Sequence, residues 1–160
     1  MKTNFRCLNV QIDDGVAVIA MNNPPVNQLS EHFVMELVES ISTALEDPDI
    51  QVVDIATPNN LHAEVAIAAA KAGKHVICEK PLARTSEESK AMYEAVKDAG
   101  IVHMVAFNYR RTPAVALAKK YIEEGAIGKI LSFRGTYLQD WSADPNSPLS
   151  WRFQKSIAGS

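Results

Sequence analysis

The chain has 160 residues, of which 47% are hydrophobic and 22% are charged, a composition typical of a globular protein with one sizeable core. Its formal net charge of -3 gives no positive field that would attract nucleic acid or an anionic membrane surface. No apolar run approaches the ~18 residues that a bilayer requires, and polar residues come too early for a signal peptide. We therefore expect a cytoplasmic protein that binds neither nucleic acid nor membrane.

The first third of the chain predicts a hairpin followed by a helix. Residues 5–12 and 16–21 are strand-like runs separated by Asp14-Gly15, a dipeptide typical of tight hairpin turns. Ser30 is placed to cap a helix. Apolar residues at intervals of three and four then predict that this helix covers residues 31–46.

From residue 51 the pattern changes to short apolar strands that alternate with helices, which indicates parallel strands joined by crossover helices. The predicted strands cover residues 52–57, 75–79 and 101–107, and a further strand is expected over 129–139. The helices between them have clear start and stop signals. They run from Asn59 or Asn60 to Gly73, from the capping pair Thr85 and Glu88 to Gly100, and from Pro113 to Gly125.

Polar side chains follow all three strands of this βαβαβ unit. In an open parallel sheet, ligands bind outside the carboxyl ends of the strands. The rim expected there contains Thr57, Asn59, His62, Glu79, Lys80, Asn108, Tyr109, Arg110 and Arg111.

Each of these residues also has a purely structural interpretation. The role of Asn59 could be simply to cap a helix, and His62 could simply lie on the first turn of that helix. Lys80-Pro81 could simply end a strand. Lys80 is the strongest functional candidate, because Pro81 fixes the turn that presents it, through a trans or a cis bond. A partly desolvated lysine in that position can donate to a developing alkoxide or move a proton.

These motifs carry a resemblance to a known family. The segments "VDIATPNNLHAEVAIAAAKAGKHVICEKPLA", "AFNYRRTPAVALAKKYIEEGAIGKI" and "SWRF" resemble the glucose-fructose oxidoreductase, inositol dehydrogenase and MocA (Gfo/Idh/MocA) family over residues 45–160. The family consists of dehydrogenases that use NAD or NADP. The resemblance implies a small polyhydroxy substrate, such as a sugar or polyol.

The resemblance also implies roles for individual residues. Lys80 would contact the reacting hydroxyl and the nicotinamide end of the cofactor, with Pro81 as its usual companion. The cofactor-binding residues would be Thr57, Asn59, His62, Glu79, Pro81, Asn108, Arg110, Trp151 and Arg152. No metal ligand is expected, and Cys7 and Cys78 are interpreted as structural buried thiols.

One signature of the family is missing from these 160 residues. The G-x-G-x-x-G turn that holds a pyrophosphate does not occur, since the seven glycines are scattered. Residues 5–53 instead resemble the opening of the enoyl-CoA hydratase/isomerase (crotonase) family, chiefly in "DDGVAVIAMNNPPVNQLS". The simplest hypothesis is a chimera, natural or engineered, that lacks the downstream catalytic segments of both families.

The resemblance leads to an α/β fold in which an N-terminal β-hairpin and helix join a parallel Rossmann-like half sheet with crossover helices. We expect a crotonase-like opening over 1–53, a Rossmann-like half over 45–140 and the start of a second domain over 141–160. The favoured function is a partial NAD(P)-dependent oxidoreductase domain, inactive alone, with weak or absent cofactor binding. The alternatives are a non-enzymatic chimera or fragment and, third, an acyl-CoA enzyme. An exposed sheet edge also predicts homo-oligomers.

Overall fold

A computed structural model describes residues 4–13, 16–22, 31–140, 143–146 and 149–159. Regular elements alternate along the chain, with strands first and helices at the end. The strands are β1 (Leu8–Asp13), β2 (Val16–Met21), β3 (Val52–Ile55), β4 (His75–Cys78) and β5 (His103–Val105); the helices are α1 (Glu31–Glu46), α2 (Asn59–Lys71), α3 (Ser86–Ala99), α4 (Pro113–Glu123) and α5 (Lys155–Ala158). The predicted α/β fold class is confirmed.

The N-terminal hairpin forms as predicted. β1 and β2 pair antiparallel, with Leu8 opposite Met21 in the register. The ladder begins later than predicted, because residues 5–7 precede β1. The predicted turn at Asp14-Gly15 and the predicted cap at Ser30 lie outside the described residues.

A second sheet contains the three parallel strands in the order β3-β4-β5. α2 and α3 provide the crossovers, and their apolar residues pack on one face of the sheet, while Val52 and Met104 remain exposed. The core around Ile55 consists of Ile55, Val65, Ala66, Ala69, Val76, Cys78 and Met92. This sheet fixes the edge at which the predicted site lies.

Local signals set most helix ends. Thr85 accepts the backbone N–H of Glu88 at 3.2 Å, which starts α3, and Gly100 ends the helix in the left-handed region that glycine adopts at low cost. Pro113 occupies the first turn of α4. At α2 the cap position is Pro58, so the interpretation of Asn59 as a capping side chain is wrong.

The two sheets are separate. Among the described residues no ladder joins the hairpin to the parallel sheet. β1 packs instead on α1, in a cluster of Cys7, Leu8, Val10, Phe33 and Leu37. Ile41 of α1 and Leu61 of α2 border both this cluster and the core around Ile55. A detached hairpin counts against a splice in which the first strands extend the parallel sheet.

The expected strand over residues 129–139 is wrong. This segment has no regular secondary structure, and Leu131, Phe133 and Leu138 are each at least 87% exposed. A strand needs a neighbouring chain for its backbone hydrogen bonds, and no described residue provides one here. The apolar residues of this segment therefore do not form part of a sheet in the described structure.

In the part of the chain that the structure describes, no helix is both long enough and apolar enough to cross a bilayer.

Candidate cofactor and substrate site

The carboxyl ends of β3, β4 and β5 meet at one edge of the sheet. Glu79 N–H donates to the Ile55 carbonyl at 2.8 Å, and Ala106 N–H donates to the Cys78 carbonyl at 2.8 Å. These bonds continue the pairing one step past the strands. The three loops with the predicted site residues therefore leave the sheet side by side.

His62 joins two of these loops. The first turn of α2 places it in the interior, where it has no exposed surface. Its Nδ1 lies 2.9 Å from the Pro81 carbonyl oxygen, and its Nε2 lies 2.9 Å from the Thr57 carbonyl oxygen. A protonated ring nitrogen donates to one of these carbonyls, and the ring holds the loop after β3 against the loop after β4.

Lys80 lies at the surface of this edge, directly after β4. The Lys80-Pro81 peptide bond is cis, one of the two isomers left open by the sequence. Glu79 is half-buried, and its Oε2 accepts the Lys80 backbone N–H at 2.9 Å. No ion pair of the Lys80 ammonium is found among the described residues, which keeps its three N–H donors available to a ligand.

Two buried oxygens near this edge have no hydrogen-bond partner in the described structure. They are Oγ1 of Thr57, just after β3, and Oδ1 of Asn60 in the first turn of α2. Buried polar atoms are nearly always paired in folded proteins. Orphaned oxygens at the carboxyl edge of a parallel sheet therefore suit polar atoms of a bound ligand.

Asn59 is buried, and its side chain bonds to a residue that is distant in the sequence. Its Nδ2 donates to the Ala158 carbonyl at 2.8 Å, a contact between residues 99 positions apart. This bond fixes α5 to the start of α2. Asn59 thus positions the C-terminal segment rather than presenting a free amide to a ligand.

Arg84, which sequence reasoning missed, has a similar role. Its Nη1 donates to the Ser156 carbonyl at 2.9 Å, while its Nε donates to Glu88 Oε1 at 3.1 Å. This contact lowers the pKa of Glu88. The capping pattern around Glu88 was visible in the sequence, but nothing local indicated a distant partner for Arg84.

Trp151 and Arg152 lie in a 3-10 turn, Trp151–Phe153, just before α5. The Arg152 guanidinium carbon lies 4.6 Å from the Trp151 ring centroid. Trp151 is half-buried and Arg152 is exposed. Because this turn contacts α5 and α5 packs on α2, the turn is connected through α5 to the helix that follows β3.

The loop after β5 is more exposed to solvent than the loops after β3 and β4. Asn108 and Arg110 are exposed in a 3-10 turn, Asn108–Arg111. The Arg110 guanidinium carbon lies 4.4 Å from the Phe107 ring centroid, and Tyr109 Oη lies 2.7 Å from Tyr137 Oη. Asn108 and Arg110 share an edge with the other candidates but do not contact them through any hydrogen bond found here.

Cys78 lies under this edge at the end of β4. Burial, with smaller contributions from the carboxylates of Glu79 and Asp54, raises the pKa of its thiol to about 11. The thiol is therefore protonated at neutral pH and is a poor nucleophile. The interpretation of Cys78 as a structural thiol agrees with this environment.

A parallel half sheet with an exposed lysine and orphaned oxygens at its carboxyl edge has the arrangement of an α/β domain that binds a ligand at that edge. Residues 4–107 match the family model "Oxidoreductase family, NAD-binding Rossmann fold", and residues 115–160 match "GFO/IDH/MocA C-terminal domain". The chain belongs to the GFO/IDH/MocA family of NAD-binding oxidoreductases.

Curated relatives agree with this assignment. A levoglucosan dehydrogenase of Pseudarthrobacter phenanthrenivorans is 90% identical over 116 residues, which cover 72% of this chain and 30% of the relative. The scyllo-inositol 2-dehydrogenase (NAD(+)) of Bacillus subtilis is 45% identical over 101 residues, 63% of this chain and 29% of that protein. The chain therefore spans about a third or less of the length of these relatives.

Solved structures give the same result. Levoglucosan dehydrogenase in complex with NADH and levoglucosan matches with a TM-score of 0.71 and 87% identity, over 74% of this chain and 32% of that one. The resemblance to this family, its Rossmann-like fold and the NAD cofactor of the family are thus confirmed. The family match begins at residue 4, so it includes the hairpin, and the relatives named here give no support for a crotonase-like opening.

Proposed function

We propose that this chain forms the nicotinamide side of a dehydrogenase that oxidises a hydroxyl group of a sugar or polyol. The observation that carries the proposal is the edge where an exposed Lys80 stands beside two loops that His62 ties together. The sugar and inositol substrates in the names of similar enzymes support the substrate class.

Lys80 is the residue that we assign to proton transfer. Oxidation of an alcohol removes a hydride and a proton, and a bound nicotinamide supplies the hydride acceptor. The Lys80 amine can hydrogen-bond to the substrate hydroxyl and move its proton. Glu79 positions the lysine by accepting its backbone N–H.

The remaining candidates divide into contact and positioning roles. Thr57 offers an unpartnered hydroxyl, and we assign it to the cofactor, with Asn108, Arg110 and Arg152 as exposed polar contacts. Asn59, His62 and Pro81 hold the loops and the C-terminal segment. Trp151 supplies an aromatic surface on that segment.

We expect the 160-residue chain to bind dinucleotide weakly and to be inactive alone. No G-x-G-x-x-G turn is present in it, so a pyrophosphate would lose several charge-assisted hydrogen bonds of about 1.5–3 kcal/mol each. Such losses lower affinity by powers of ten. The nicotinamide half of the cofactor would then account for most of the remaining binding.

This expectation can be tested by titration of the chain with NADH, with reduced nicotinamide mononucleotide and with AMP, monitored by calorimetry and tryptophan fluorescence. We expect weak saturable binding of NADH and of the mononucleotide with affinities within about tenfold, and no binding of AMP. Parallel titrations with NADPH compare the two dinucleotides. Tight binding of AMP, or no saturable binding of NADH at millimolar concentration, would contradict the proposal.

A second hypothesis concerns origin: a chimera whose residues 5–53 derive from a crotonase-like protein. It is supported by the hairpin sequence and by the 116-residue length of the 90% identity match, which leaves part of the chain outside it. The family match from residue 4 and the detached hairpin are evidence against it.

Saturable binding of crotonyl-CoA, abolished by deletion of the hairpin, would favour the third function, an acyl-CoA enzyme. A folded chain that binds neither NADH nor crotonyl-CoA would be a non-enzymatic fragment.

A further inference from the structure

A cluster of three potential metal ligands lies where the start of the hairpin meets α1. Cys7 Sγ, one ring nitrogen of His32 and one carboxylate oxygen of Glu36 all lie within 4.8 Å of one another. His32 Nε2 lies 3.1 Å from Glu36 Oε1. No residue of this cluster belongs to the cofactor and substrate site described above.

The fold explains why these three side chains meet. His32 and Glu36 are one turn apart on α1, so they share a face of the helix. Cys7 directly precedes β1, and β1 packs on α1. Glu36 already joins the two elements, since Oε1 accepts Arg6 N–H at 2.9 Å and Oε2 accepts Cys7 N–H at 2.7 Å.

Glu36 has capacity for one more partner. An ionised carboxylate offers about four lone-pair positions, and the two backbone N–H groups use two of them. His32 Nε2 also lies 3.1 Å from Oε1, so the carboxylate faces the other candidate ligand on α1.

We propose that Cys7, His32 and Glu36 bind a divalent transition-metal ion of the zinc type. Thiolate, imidazole and carboxylate are the donors that Zn²⁺ accepts, at about 2.3 Å for sulfur and about 2.0–2.2 Å for nitrogen and oxygen. Ligand atoms of a tetrahedral ion with those bond lengths lie roughly 3.5 Å apart. A shift of about an ångström in these side chains brings them to that separation.

The environment suits a three-ligand site. Cys7 is 5% exposed, while the His32 side chain is 56% exposed, so the ion would enter from the histidine side. Three protein ligands leave a fourth position for water. The bound ion would connect the hairpin to α1, in addition to the Glu36 hydrogen bonds and the apolar cluster.

Cobalt binding by the intact chain tests this site. Chelator-treated protein is titrated with Co²⁺, and we expect one equivalent to produce a thiolate-to-cobalt charge-transfer band in the near ultraviolet, which Zn²⁺ then removes. Cys7→Ser should abolish the band. Cys78→Ser, at the other buried cysteine, is the matched control and should leave it intact.

Zinc affinity, measured by competition with a chromophoric chelator, gives a second readout. We expect His32→Asn to weaken Zn²⁺ affinity at least tenfold. Because the His32 side chain is exposed, the variant should keep the circular dichroism spectrum of the wild type. The proposal is overturned if wild-type protein gives no charge-transfer band and no 1:1 zinc stoichiometry. It is equally overturned if Cys78→Ser, but not Cys7→Ser, removes the band.

Discussion

The Asn59 side-chain amide donates a hydrogen bond to the Ala158 carbonyl at 2.8 Å, which joins the first turn of α2 to α5. Arg84 makes a similar bond to Ser156 two residues earlier. Two side chains, one from the first turn of α2 and one from the loop before α3, therefore hold one C-terminal segment. Through this segment, Trp151 and Arg152 stay close to the candidate site.

Loss of these two bonds should release the segment while the sheet stays folded. We expect Asn59→Ala with Arg84→Ala to increase hydrogen exchange of the amides of residues 155–158 by at least tenfold, because local opening no longer breaks two side-chain hydrogen bonds worth about 1 kcal/mol each. Mass spectrometry of exchanging peptides measures the change.

Lys90→Ala is the control, since it also removes a cation, but from an exposed position on α3 that makes no contact with residues 155–158 in the hydrogen bonds described. It should leave exchange in the segment unchanged. Equal protection of residues 155–158 in the double variant and in wild type would show that the two bonds do not hold the segment.

His62→Ala should destabilise the whole domain. The substitution removes a fully buried ring and leaves the Thr57 and Pro81 carbonyls without their nearest partner. We expect a loss of roughly 2–5 kcal/mol in the free energy of unfolding, from the cavity and the unpaired groups together. Urea denaturation monitored by circular dichroism measures it.

The comparison is His103→Gln, which replaces an exposed histidine of β5. A surface change of this kind normally stays within about 0.5 kcal/mol. If both variants unfold at the same urea concentration as wild type, His62 does not join the two loops in solution.

Features set by local signals could be predicted from the sequence, whereas contacts between distant segments could not. Strand periodicity, Thr85 and Gly100 act within a few residues, so β3 to β5 and the ends of α3 could be predicted. The expected strand over 129–139 failed because its pattern is local but a ladder needs a partner. The partners of Asn59 and Arg84, and the meeting of Cys7 with α1, depend on packing between distant segments.

For the site itself, the residue types were predictable but their roles were not. The position of Lys80 and Pro81 at the end of β4 followed from the strand pattern and the family resemblance, but the cis isomer of their peptide bond did not. The resemblance assigns His62 and Asn59 to the cofactor; in this structure the His62 ring also connects two loops, and the Asn59 amide donates to α5. Burial decides between these roles, and the residue pattern does not indicate how deeply a side chain at a helix start is buried.

Cys78 should resist alkylation in the native protein. Its pKa of about 11 lies above the ordinary thiol value, so the thiolate fraction stays small at neutral pH and grows about tenfold per pH unit until the pH reaches the pKa. In a Cys7→Ser background, we expect iodoacetamide to label Cys78 far more slowly in native than in urea-unfolded protein. Equal rates at pH about 8 would contradict the assigned environment.

The free edge of β3 should cause self-association. β3 pairs only with β4 among the described strands, and Val52 is 49% exposed, beside an apolar cavity of about 680 Å³ between β2, α1 and β3. We expect light scattering to show a dimer or larger species that grows with concentration. Val52→Lys should shift the population toward monomer, because a charged edge disfavours strand pairing. A wild-type monomer at all concentrations would contradict this prediction.

Thr57→Val separates ligand binding from folding. The Thr57 hydroxyl oxygen is buried without a hydrogen-bond partner, so a valine of similar shape removes a desolvation cost and should leave the free energy of unfolding equal or higher. A ligand that bonds to this hydroxyl would lose about 0.5–1.5 kcal/mol, a two- to twelvefold drop in NADH affinity. Thr43→Val, which removes a hydroxyl bonded at 2.9 Å to Glu39 on α1, should leave NADH affinity unchanged. If both valine variants bind NADH like wild type, the Thr57 hydroxyl does not contact the cofactor.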